Sequence, residues 1–295
     1  MLDLGRVITA MVSPFHANGD VNYTEAIRLA HHLLENGSDA IILAGTTGES
    51  PTLSHDEEYQ LFKQVKASVG TKGIIMAGTG SNCTKTALKS TVKAHDAGVD
   101  ACLQVVPYYN KPSQEGMYQH FSTVAKHSAI PIMLYNIPGR TAANMLPETV
   151  QRLSEFSMIQ SIKEAAGSLE QVRALKAVLN KDFRIYCGDD AMTLDYLKEG
   201  AHGIVSVASH LVGGQIQEMI AQYLAGNSDA AQAIHNRFNA LFDVLFITTN
   251  PSPIKAAVAD LGFDVGKPRL PLIALTDEEH AQLMTVLAQL EKANA

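Results

Sequence analysis

The residue in this sequence with the clearest chemistry is an amine at the end of an apolar run. In SMIQSIKEAAG, residues 157–167, Met158, Ile159 and Ile162 mark a short buried strand, and Lys163 and Glu164 end it before the Gly that opens the next helix. Burial among apolar strands disfavours the charged form of an ammonium. A neutral amine is a nucleophile whose natural electrophile is a carbonyl, and the resulting Schiff base is an electron sink for making or breaking the adjacent carbon–carbon bond. An ion pair with Glu164, or a side chain snorkelling out at the strand end, would account for the same letters.

Two further stretches supply what such chemistry needs. In YNIPGRT (135–141), Tyr135 could work in a hydrogen-bonded relay that shuttles protons, and Arg140 could fork onto a carboxylate with two parallel hydrogen bonds. Packing and a surface ion pair are their ordinary roles. GTTGE (45–49) offers two hydroxyls and free backbone amides suited to a small carboxylate, with Glu49 as a tie for the loop. No GxxxxGK[ST] occurs, and AGTGSN (77–82) lacks the third glycine of a dinucleotide fingerprint, so no nucleotide is expected. The eleven histidines include the pair His31-His32 but no HExxH, and no cofactor or catalytic metal is implied.

The elements that must position these groups are legible as an alternation. VITAMVSPF (7–15), AIILAG (40–45), GIIMAGTG (73–80), ACLQVVPYY (101–109), IPIMLYNIP (130–138), MIQSIKEA (158–165), FRIYCGDD (183–190) and GIVSVAS (203–209) read as eight nearly continuous apolar strands of a parallel sheet. Helical patterns lie between them. Residues 23–37 put Ile27, Leu29, Ala30, Leu33 and Leu34 on one face and stop at Gly37, and Ser54 with Glu57 has capping-box spacing. The count predicts an α/β fold, a (β/α)8 TIM barrel, with a doubly wound open sheet as the alternative. In such a barrel the C-terminal ends of the strands carry the active site. From Ser228 onward the pattern is helical without strands, which divides the chain into a barrel over 1–226 and an appended helical unit over 227–295 that caps the barrel or meets a neighbouring subunit.

With 295 residues, 46% hydrophobic and 18% charged, the chain can bury a large core. Its formal charge of −7 is spread without an acidic or basic block, which argues against nucleic acid or an anionic membrane as a partner. The start MLDLGRVITAMVSPF has no leader pattern, and no apolar run is long enough to span a bilayer, so a cytoplasmic, soluble protein is expected. Cys83, Cys102 and Cys187 form no CxxC pair and read as ordinary thiols.

GTTGES (45–50), PYYNKPSQEG (107–116), YNIPGRT (135–141), IKEA (162–165) and GDD (188–190), in this order, resemble the dihydrodipicolinate synthase family from about residue 4 to the C-terminal helices. The resemblance implies a Schiff base between Lys163 and pyruvate, whose enamine attacks (S)-aspartate 4-semialdehyde on the way to lysine and diaminopimelate. It implies a proton relay of Tyr135, Thr46 and Tyr109, with Tyr109 reaching into the adjacent subunit of a homotetramer built as a dimer of dimers. Thr47 would hold the pyruvate carboxylate, Arg140 the semialdehyde carboxylate, and the Gly188 and Val205 backbones would line the lysine pocket. Relatives acting on keto-deoxy sugar acids generally lack the arginine, so Arg140 and the Tyr108-Tyr109 pair favour the synthase over a sibling lyase. A barrel that only senses pyruvate or an amino acid would have lost one of these groups. Ser50, His55, Asn82 and Tyr108 match an allosteric lysine pocket. Pro51, Glu58 and Thr86 depart from it, and losing a glutamate's charge-assisted contact at 86, worth about 1.5–3 kcal/mol, predicts weak or absent feedback inhibition.

Overall fold

The computed structural model describes residues 1–294. Eight short strands, β1 (Val7–Ala10), β2 (Ala40–Leu43), β3 (Ile74–Gly78), β4 (Ala101–Val105), β5 (Ile132–Asn136), β6 (Ile159–Glu164), β7 (Arg184–Cys187) and β8 (Gly203–Ser206), pair in parallel and in chain order. β8 returns to β1 and closes the barrel, which excludes the open doubly wound sheet. Strand alternation sorts the side chains into two cores. Ile8, Ile42, Met76, Leu103, Met133, Tyr135, Tyr186 and Val205 fill the interior, while Val7, Ile41, Ile75, Cys102, Leu134, Ile162 and Ile204 face the helices.

The strands are shorter than their apolar segments. Residues 101–109 contribute only Ala101–Val105 to β4, because Pro107 cannot donate to a ladder and Tyr109 turns to φ +75°. The helical layer runs α1 (Tyr23–Glu35), α2 (His55–Val69), α3 (Thr84–Asp96), α4 (Gln114–His127), α5 (Pro138–Thr141), α6 (Pro147–Leu153), α7 (Leu169–Val178), α8 (Thr193–Lys198) and α9 (Ser209–Leu224). Two helices rather than one join β5 to β6. Pro138 starts a single turn that ends at Ala142 in the left-handed region, and Pro147 starts the next.

The stop at Gly37 and the capping box of Ser54 and Glu57 act as read. Asn22 caps α1, which buries Leu29, Ala30 and Leu33 with Ile27 and Leu34 at the margin of the core, and Gly37 follows its end at φ +103°. Ser54 and Glu57 form the reciprocal capping box of α2. After α9 come α10 (Ser228–Arg237), α11 (Asn239–Val244), α12 (Ser252–Asp260) and α13 (Asp277–Asn294), with no strand among the described residues. Phe238, Leu241, Phe242, Ile254, Val258 and Leu283 bury into the outer core. Each such side chain contributes roughly 1.5–3 kcal/mol on burial. No helix among the described residues is long and apolar enough to cross a membrane.

Candidate active site

Tyr135 and Lys163 are register partners on β5 and β6, near the C-terminal ends where a barrel carries its chemistry. Both are buried, at 4% and 7% exposure, and the Lys163 amine lies 4.3 Å from the centre of the Tyr135 ring. The Lys163–Glu164 ion pair that the sequence left open does not form. One residue further along the strand, Glu164 points to the helix side, where its carboxylate accepts from Asn136 Nδ2, Gln171 Nε2 and the Ala166 N–H. Burial pushes its carboxyl up, against those hydrogen bonds. Lys163 enters no ion pair with any described residue and keeps an amine that no acid claims.

Gly188 follows β7 beside this amine. A Cβ there would stand 2.7 Å from the Ala165 Cβ and 3.0 Å from the Lys163 Cε, so glycine is what leaves room for the lysine chain. Val205, on β8, belongs to the same barrel interior as Tyr135. Asp190, in the GDD turn, is fully buried and ties the end of β7 to that of β8. It accepts from the Ser206 hydroxyl and from the N–H groups of Val207 and Ala208. Burial raises its carboxyl, opposed by these bonds.

The loop after β2 is fixed from a distance. Glu49 sits at φ +56°, and its carboxylate accepts from Lys255 Nζ at 2.9 Å and from the Arg269 N–H at 2.8 Å. Both partners of the Lys255–Glu49 pair are 1% exposed, and Lys255 also lies 4.0 Å from the centre of the Phe15 ring. Burial holds its amine below the usual lysine range, against the opposing pull of Glu49. Glu49 is therefore the tie that the sequence suggested, with its partners more than 200 residues away. In the same loop Thr47 is buried and its Oγ1 accepts from Asn250 Nδ2 at 2.9 Å.

Thr46, Tyr135 and Arg140 line one cavity of about 660 Å³ at the barrel mouth. Arg140 is exposed on the single turn of α5, and its guanidinium makes no hydrogen bond or ion pair to a described residue. Lys163 and Thr47 do not themselves line the cavity; the Lys163 amine lies against the ring of Tyr135, which does. A phenol, a hydroxyl and an unclaimed guanidinium thus face a space sized for small acids, with the Lys163 amine against the phenol ring. The sequence model of the Dihydrodipicolinate synthetase family matches residues 3–290.

The chain belongs to that family. It is 55% identical to a 4-hydroxy-tetrahydrodipicolinate synthase of Thermosynechococcus vestitus, over 98% of each chain. Among solved structures, a dihydrodipicolinate synthase of Bacillus anthracis superimposes with a TM-score of 0.96 at 45% identity, covering 98% of this chain and 99% of that one. The synthase of Cyanidioschyzon merolae, crystallised with lysine bound, gives 0.96 at 49% identity over 98% of both.

Within this family member, Tyr109 stands apart from the other candidates. It is 89% exposed, at φ +75°, and does not line the cavity. Tyr108, Ser50 and His55 line the same cavity together with Glu58 and Thr86. Asn82 does not, although its carbonyl accepts from Asn110. Glu58 is buried and takes up two of the matching residues: the Ser50 hydroxyl donates to Oε1 at 2.7 Å, and His55 Nδ1 lies 3.1 Å from Oε2. Sequence reasoning missed Asn250, Lys255 and Asp190 as supports. Asn250-Pro251 reads locally as a turn, and nothing in it points to a threonine 203 residues earlier.

Proposed function

We propose that this chain condenses pyruvate with (S)-aspartate 4-semialdehyde to give 4-hydroxy-tetrahydrodipicolinate, in lysine and diaminopimelate biosynthesis. The observation that carries this reading is the buried Lys163 amine, without an acidic partner, against the Tyr135 ring. The Lys163 amine attacks the ketone carbon of pyruvate, and loss of water leaves the Schiff base. Removal of a methyl proton gives an enamine, whose carbon attacks the semialdehyde's aldehyde and forms the new carbon–carbon bond as the oxygen takes a proton. The amino group of the added unit then displaces Lys163 from the imine carbon and closes the ring. Tyr135 and Thr46 move the protons, Thr47 holds the pyruvate carboxylate, and Gly188 and Val205 line the lysine pocket. Arg140, exposed at the cavity without a protein partner, suits the semialdehyde's carboxylate.

Tyr109 completes the relay from the neighbouring subunit in this reading, and its near-full exposure in the single chain is consistent with a second copy covering it. The assembly is then a homotetramer of two dimers, working in the cytoplasm, with residues 227–295 as a helical unit appended to a barrel over 1–226. Lysine inhibits weakly or not at all, because Thr86 supplies no carboxylate and Glu58 engages Ser50 and His55. The test of the reaction is pyruvate consumption by the purified chain. Rapid consumption that requires the semialdehyde supports it; none, with folded protein, redirects the search to a sugar-acid lyase.

A further inference from the structure

We infer that Asn250, from the segment after the barrel, is a positioning residue that turns the hydroxyl of Thr47 into a donor for the bound keto acid. The inference rests on the reading of Thr47 as the holder of the pyruvate carboxylate.

A threonine hydroxyl has one proton to give and lone pairs with which to accept. The Asn250 amide donates to Thr47 Oγ1, so in this contact the hydroxyl accepts and its own proton is left for another group. Thr47 is 3% exposed, and its Oγ1 has no other hydrogen bond to a described residue. Thr46, its neighbour in the chain, and Asn250, its partner, both line the cavity. An anion bound there is the acceptor that the protein does not supply, and donation to a carboxylate is a charge-assisted bond.

With the amide turned the other way, Asn250 Oδ1 would take the Thr47 proton and the substrate would meet only lone pairs. The N–H groups of the amide would then be buried without an acceptor. The observed orientation leaves Oδ1 buried without a partner, a desolvation cost that an apolar side chain of equal size would not carry. That cost is understandable if the amide is there to orient Thr47. Asn250 is 5% exposed and anchored just ahead of α12, whose Lys255 grips Glu49 two residues beyond Thr47, so the whole loop is set by the helical segment.

The experiment is steady-state kinetics on Asn250→Asp, Asn250→Ala, Thr47→Val and the double variant Thr47→Val/Asn250→Ala, with melting curves to confirm folding. Asn250→Asp keeps the volume and replaces the donor by an acceptor. Either single change at 250 should raise the pyruvate KM about tenfold, Asp more than Ala, with kcat and the semialdehyde KM changed less than about twofold. Adding Asn250→Ala to Thr47→Val should raise the pyruvate KM no further. The half-saturating pyruvate concentration for borohydride trapping should shift in parallel. Equal losses for both substrates, or a full further rise in the double variant, would mean that Asn250 only supports the fold. An unchanged pyruvate KM in Thr47→Val would overturn the role of Thr47 first and the inference with it; a raised KM there with none in Asn250→Asp or Asn250→Ala overturns the inference alone.

Discussion

Tyr135 and Lys163 face each other across adjacent parallel strands, in register, with the amine 4.3 Å from the centre of the phenol ring. The ring does two jobs: it shields the amine and presents a hydroxyl that can move protons. Tyr135→Phe separates them, since the ring stays. Its kcat should fall about 10²- to 10⁴-fold, while pyruvate with borohydride still traps the enzyme. Loss of trapping in a folded Tyr135→Phe protein would mean that the phenol is needed for more than proton transfer.

Gly188 leaves no room for a methyl group between Ala165 and Lys163. Gly188→Ala should displace the lysine chain, and a misplacement on the order of 1 Å costs about a hundredfold in rate. Circular dichroism and kcat measured on the same sample check this: native-like spectra with a large loss of kcat are expected.

The buried Lys255–Glu49 pair ties the loop carrying Thr46 and Thr47 to α12. Lys255→Met leaves Glu49 as an uncompensated buried charge, with an expected loss of about 3–5 kcal/mol in stability. Adding Glu49→Gln should recover a large part of it in denaturant melts. A single variant as stable as the parent would show that the pair holds nothing in place.

His210 is fully buried, donating from Nδ1 to the Val207 carbonyl while Nε2 accepts from the Val12 N–H. Burial lowers its pKa from 6.5 to about 4. The folded state thus binds its proton later than the unfolded chain, so its stabilisation is complete above about pH 6.5 and is lost as pH falls toward 4, on the order of 3 kcal/mol. Glu57, held down to about 2 by Arg269, loses its contribution only below its ordinary 4.5. Glu164 and Asp190, pushed up by burial, act with the opposite sign. Comparison with His210→Gln isolates the histidine: between pH 7 and pH 5 the variant should lose less stability than the parent. Parallel curves would contradict the assignment.

Lysine should inhibit the initial rate with a half-inhibitory concentration above about 1 mM. Stronger inhibition would show that Glu58 and Thr86 serve the effector after all.

How much of this was legible in the sequence depended on range. Strand ends, helix caps and Lys163 are local signals, but an ion pair of Lys163 with Glu164 stayed open until the pairing of β6 put the two side chains on opposite faces. The two helices between β5 and β6 follow Pro138 and Pro147, each of which starts a helix of its own. Asn250, Lys255 and Arg269 act over more than 200 residues, where no local pattern reports the partner. Asp190 was visible in GDD, but the groups that donate to it, the Val207 and Ala208 N–H, are fixed only when β7 and β8 pair.

The central claim is that Lys163 holds pyruvate covalently. The direct measurement is the intact mass, followed by peptide mapping, of the parent and of Lys163→Ala after treatment with pyruvate and borohydride. The account predicts one reduced pyruvate per parent chain, on the peptide containing Lys163, and none on the variant. An adduct that persists in folded Lys163→Ala would place the nucleophile elsewhere.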